Sequence, residues 1–183
     1  MTTTTAVVGN LSRLEPRPIG HHPAWLTEAR RTAFGWVAEH GFPTLKDEDW
    51  RYTRLDSILD IPFEPAVPGM GHRLSSSTID ALAADLGGTR LVFVNGHFAP
   101  DLSSLTKLPE GATVTNLASV LADEAERLEP LLSRPFGPHD HAFTALNAAL
   151  TEDGAFVHLR AGTTVGEPIE LVFFSDTGGS PLV

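Results

Sequence analysis

Ala155-Phe156-Val157-His158-Leu159-Arg160 and Ile169-Glu170-Leu171-Val172-Phe173-Phe174 decide how this chain is read. Their branched and aromatic content makes each a strand, and a Gly-rich turn with Pro168 separates them. Two isolated strands with one apolar face cannot bury that face unaided. More sheet is therefore expected, from further sequence or from another copy, and the chain reads as a fragment whose core is completed elsewhere.

Upstream the pattern is helical. His141 to Leu150 reads as a helix with Phe143, Leu146, Asn147 and Leu150 on one face. Before it, Val120, Leu121, Ala125, Leu128, Leu131 and Leu132 form the apolar face of an amphipathic helix that Pro135, Gly137 and Pro138 stop. Thr113-Val114-Thr115 is a short strand. Arg90-Leu91-Val92-Phe93-Val94 is another, and Asn95-Gly96 supplies the positive φ angles of a tight hairpin whose return, His97-Phe98, is cut short by Pro100. Ser77 to Leu86 reads as a helix ended by Gly87-Gly88.

Prolines 62, 65 and 68 make Ile61 to Gly71 an extended connector, preceded by a helical turn over residues 53 to 60. From Pro23 onward, Trp25, Leu26, Ala29, Ala33, Trp36 and Val37 share one third of a helical wheel, opposite Glu28, Arg31, Thr32 and Glu39. Gly41 supplies the stop. Residues 1–22 show no hydrophobic period and read as a disordered tail.

Composition narrows the function. The chain has 183 residues, with 13 Lys and Arg against 23 Asp and Glu, a formal net charge of -10. Such a surface repels nucleic acid and anionic lipid. There are no cysteines, which removes disulfides, thiolate ligands and a Cys nucleophile from this stretch. The first 20 residues hold no apolar run of signal-peptide or membrane length, so a soluble, cytoplasmic protein is expected.

The run Phe42-Pro43-Thr44-Leu45-Lys46-Asp47-Glu48-Asp49-Trp50-Arg51-Tyr52-Thr53-Arg54-Leu55 resembles the segment that opens the SufD proteins of the SufB/SufD family, scaffolds of iron-sulfur cluster assembly. Leu91 to Phe98 resembles the family's hairpin, Phe143 to Ala149 the segment ahead of its β-helix, and the chain from Gly154, with Val165-Gly166-Glu167-Pro168-Ile169, its first coil. These blocks follow the family's order from about His21 to the end. The resemblance implies a helical N-terminal domain, then a right-handed parallel β-helix that pairs with SufB, then a C-terminal helical domain that docks the ATPase SufC. It carries over no catalytic, cofactor-binding or metal-binding residue, because the family's cluster-building residues have no matching position here.

His139-Asp140-His141 is the one cluster with metal-like content, since two histidines around a carboxylate could offer ligands to zinc or iron. Asp140 also stands where an N-cap is needed for the helix that follows. His21-His22 reads as linker, His40 as the close of the first helix, and His72, His97 and His158 as surface or turn residues. Trp50, Arg51 and Tyr52 suit either an interface or an anchor in which the two aromatic rings pack and Arg51 pairs with Asp47 or Glu48. Asn147, on an apolar face, is expected to bond the backbone of the neighbouring turn. Gly87-Gly88 and Gly178-Gly179 lack the pattern of a phosphate loop.

The expected class is α+β: a helical N-terminal domain with a β-hairpin, followed by the first strands of a β-helix. Its divisions are a tail over 1–22, a mainly helical domain over 23–138, and a linking helix with the start of the core over 139–183. The expected function is a non-catalytic scaffold without cofactor, pairing with SufB and SufC in the full-length protein. The rival readings are a small metal-dependent enzyme built on His139-Asp140-His141 and a self-associating interaction module.

Overall fold

A computed structural model describes residues 12–20, 22–69, 74–83, 86–132 and 141–175. Among these the helices are α1 (Ala24–His40), α2 (Asp56–Leu59), α3 (Ser76–Leu82), α4 (Leu117–Asp123), α5 (Ala125–Leu132) and α6 (Ala142–Leu150). The strands are β1 (Thr89–Val94), β2 (His97–Phe98), β3 (Ala112–Asn116), β4 (Ala155–Leu159) and β5 (Ile169–Phe174). The class is α+β, as the sequence predicts. No helix among the described residues is long and apolar enough to cross a membrane.

Contacts divide the chain into two units that interleave along it. One holds the described residues through Pro65 with those of Glu124–Thr151; the other holds those of Ala66–Asp123 and from Glu152 onward.

The first unit is built on α1 against α6. Ala33 and Val37 meet Ala145, Ala148 and Ala149, and these small side chains let the helices approach closely, with Trp36, Phe42 and Leu146 filling the flank. Arg30 lies buried on the same face, at the spacing of Leu26, Ala33 and Val37. Its Nε donates to the Ala149 carbonyl at 2.9 Å, in the last turn of α6, where orphan carbonyls and the negative dipole end favour a cation. Its Nη1 donates to the Arg17 carbonyl at 3.2 Å and stands 3.5 Å from His22 Nδ1. The described part of the 1–22 segment thus lies on α1, with a 3-10 turn at Ser12–Leu14 and with Leu14 and His22 buried.

The second unit is built on β1. Its sheet runs β2-β1-β5, with β1 antiparallel to β2 and parallel to β5 over six residue pairs from Thr89↔Ile169 to Val94↔Phe174. Val92 and Val94 pack with Ile79 of α3 on one face; Leu91 and Phe93 pack with Val114 of β3 and Ala155 of β4 on the other. Complete burial of Leu91, Val92 and Phe93 contributes about 1.5–3 kcal/mol each. β3 and β4 form a separate antiparallel ladder, Ala112↔Leu159 to Asn116↔Ala155.

The last two strands are therefore not partners of each other, and neither is isolated. The helix expected over 120–132 is two helices that break at Glu124, where the units divide. Val120 and Leu121 are buried in one unit and Leu128 in the other, while Leu131 is exposed. α3 stops at Leu82, before Gly87-Gly88. Gly88 serves a close approach instead. At φ +78 it passes Pro168, whose carbonyl oxygen a Cβ would meet at 2.5 Å.

Candidate interaction surface

Arg90 sets the register of the parallel pair. Its guanidinium, largely buried, donates through Nε to Glu170, its cross-strand partner on β5, and through Nη1 to Asp80 of α3 at 2.8 Å. The Glu170 bond is the leading cause that raises the Arg90 pKa above its ordinary value, so the cation is fixed. A slip of one residue would turn Glu170 away from Arg90 and reverse every apolar side chain of β5.

With that register, Ile169, Leu171 and Phe173 share a face with Leu91 and Phe93, and Phe173 stacks on Phe93 at 5.1 Å between ring centroids. On the facing ladder, Val157 and Leu159 alternate onto the same side as Ala155. Both sets point to the interior that Leu91, Phe93 and Val114 fill. Yet Val157 is 43% exposed, Leu159 44%, Leu171 41% and Phe173 63%. The core is finished around β1 and open along β4 and β5.

The edge of β5 is open as well, for no strand lies beyond it among the described residues. Asn95 N–H donates to the Phe174 carbonyl at 2.8 Å, so strand alternation turns the backbone N–H and C=O of Leu171 and Phe173 outward. Open apolar strand edges are the usual template for another strand.

Asp153 holds the entry to β4. Its carboxylate accepts from the N–H groups of Phe98 (3.0 Å), Ala118 (2.9 Å) and Gly154 (2.8 Å), and from the Asn116 amide (3.1 Å). One side chain thus ties β2, the end of β3, the start of α4 and the start of β4. Sequence reasoning missed Asp153, Arg30 and Arg90. The signal for Arg30 is its helical spacing among apolar residues; Asp153 is flanked by a helix end and a strand start, which hints at a cap.

Trp50 is half-buried and packs in a tilted arrangement on Phe143, with ring centroids 5.3 Å apart and Phe42 at 5.3 Å from the same Phe143 ring, which is the anchor expected of it. Tyr52 does not anchor: it is 89% exposed, with the Arg51 guanidinium 5.8 Å above its ring. Arg51 makes no ion pair with Asp47 or Glu48 among the described residues. Asp47 instead accepts from the Thr44 backbone N–H at 2.7 Å and hydroxyl at 3.0 Å, which hold its carboxyl below the usual range.

Asn147 is exposed, against expectation. The buried positions of α6 are Ala142, Ala145, Ala148 and Ala149, so the packed stripe lies to one side of the bulkier residues. The Asn147 carbonyl accepts from the Thr151 hydroxyl at 2.6 Å.

His139 and Asp140 lie outside the described residues, as do His21, His72 and Gly178-Gly179. His141 is exposed and is itself the N-cap residue of α6, with no side-chain bond to the helix. Among the described residues no three histidines or carboxylates stand together as a metal site would require. His40 closes α1, its ring stacked on Trp36 at 4.2 Å. A cavity of about 240 Å³ lies between Thr89, Thr106, Lys107 and the 165–169 turn, and the two threonine hydroxyls in it bond each other at 2.8 Å.

The family described as the SufBD protein N-terminal region matches residues 19–171. The chain belongs to that family. Over 170 residues, 90% of its length, it is 28% identical to a protein named as an iron-sulfur cluster assembly SufBD family protein in Synechocystis sp., and it covers 36% of that protein. Over 67 residues, 37% of its length, it is 39% identical to the iron-sulfur cluster assembly protein SufD of Escherichia coli, covering 15% of it. The chain thus spans about a third or less of the relatives it matches.

Proposed function

We propose that this chain is the N-terminal part of a non-catalytic scaffold subunit in SUF iron-sulfur cluster assembly, acting in the cytoplasm. In this reading the strands within 139–183 open a right-handed parallel β-helix, whose later coils pair with SufB. The ATPase SufC docks further along the full-length protein. Desulfuration of cysteine and hydrolysis of ATP belong to the partners, and no catalytic, cofactor or metal residue is assigned to this stretch.

One observation carries the reading: Val157, Leu159, Leu171 and Phe173 face a core yet stand exposed, beside the open edge of a parallel pair in full register. Parallel strands stacked in register with like residues aligned, as Leu91 with Leu171, Val92 with Val172 and Phe93 with Phe173, are what successive coils of a solenoid provide. Burying those four side chains under a next coil would contribute several kcal/mol, at about 1.5–3 kcal/mol for each fully buried apolar residue.

Co-purification of the full-length protein with SufB and SufC is the test. Retention of both is expected, and association with neither removes the proposal. The same edge also suits a second copy of the chain, and a concentration-independent monomer in light scattering eliminates that alternative.

A further inference from the structure

The two sides of the β2-β1-β5 sheet are finished differently. Among the described residues no strand pairs with the outward N–H and C=O groups of Leu171 and Phe173 on β5. On the opposite side, Arg90 exchanges two backbone bonds with Ser104, at 2.7 and 2.9 Å. The Val92 carbonyl accepts from Ala99 N–H at 2.8 Å. The Val92 N–H donates to the Ser103 hydroxyl at 2.9 Å, and that hydroxyl donates in turn to the Ala99 carbonyl at 2.8 Å. Thr106 N–H reaches the Thr89 hydroxyl at 3.2 Å, and β2 covers Phe93 and Val94.

The segment that saturates this side stops being a strand after Phe98. Pro100 has no N–H to offer, and the 3-10 turn Pro100–Leu102 directs the N–H groups of Leu102 and Ser103 back to Ala99 and Pro100. Ser103 supplies by its side chain the acceptor that a regular strand would supply by its backbone. A second full strand here would only move the open edge outward by one place; this segment satisfies β1 and, among the described residues, carries no further ladder.

We propose that residues 97–106 are an edge lock, which closes one side of the sheet so that any further strand, from this chain or another copy, joins only at β5. The lock holds whatever strand follows β5, so its failure and the loss of SufB and SufC binding are read separately.

The test begins from Leu171→Lys, which blocks the β5 edge with a charge. Ser103→Ala is added to it, with Ser103→Thr as the conservative variant. Exchange of the Val92 amide hydrogen is expected to quicken by at least about tenfold in Ser103→Ala and to return in Ser103→Thr. Across a concentration series in the ultracentrifuge, Leu171→Lys is expected to sediment as a monomer and the Ser103→Ala double variant to self-associate. An unchanged Val92 amide overturns the lock, and so does a double variant that exchanges Val92 freely and stays monomeric. Thr89→Val, which takes the hydroxyl acceptor away from the Thr106 N–H, gives the same comparison at the Thr106 amide where Ser103→Ala does not fold.

Discussion

Asp153 and Arg30 show how much one charged side chain can organise when its partners are backbone groups. Asp153 gathers Phe98, Asn116, Ala118 and Gly154. Its replacement by Ala leaves these donors without an acceptor, and since a hydrogen bond to a charged group is worth about 1.5–3 kcal/mol, a loss of at least about 3 kcal/mol is expected in urea unfolding. Arg30→Ala strips the Ala149 and Arg17 carbonyls of their donor and empties a packed site, for which about 3 kcal/mol is expected by the same measurement. Neither role was legible in the sequence, because the decisive bonds join residues 55 and 119 positions apart. Asn147 misled for the opposite reason: helical spacing placed it among the large apolar residues of α6, whereas the packed stripe is the alanines beside them.

Local chemistry made most elements legible. α1 follows its apolar face and ends at Gly41, and β1 with its Asn95-Gly96 turn follows from branched residues and positive φ. What lay beyond reach was pairing: β5 finds its parallel partner 80 residues upstream, and no local pattern records that. The predicted single helix over 120–132 failed because its two halves bury their leucines in different units. Arg90 is the element-scale hinge of the fold, since among the described residues it alone joins β1, β5 and α3 through charge. Arg90→Ala abandons Glu170 in a nearly buried position, and a destabilisation of about 3 kcal/mol is expected. The exchange of β5 amides should rise in this variant more than that of α1 amides, which native-state hydrogen exchange resolves.

For the whole molecule, family membership rests on a match from residue 19 to 171, and the open face of β4 and β5 gives that match a physical meaning. With a net charge of -10 and no cysteine, this stretch offers no thiolate ligand to a cluster and repels polyanions. The proposed solenoid is tested most directly at the outward amides of Leu171 and Phe173, by hydrogen exchange in the 183-residue chain and in the full-length polypeptide. If a next coil stacks on β5, both amides exchange at least about a hundredfold more slowly in the longer protein. Equally fast exchange in the two would contradict the assignment.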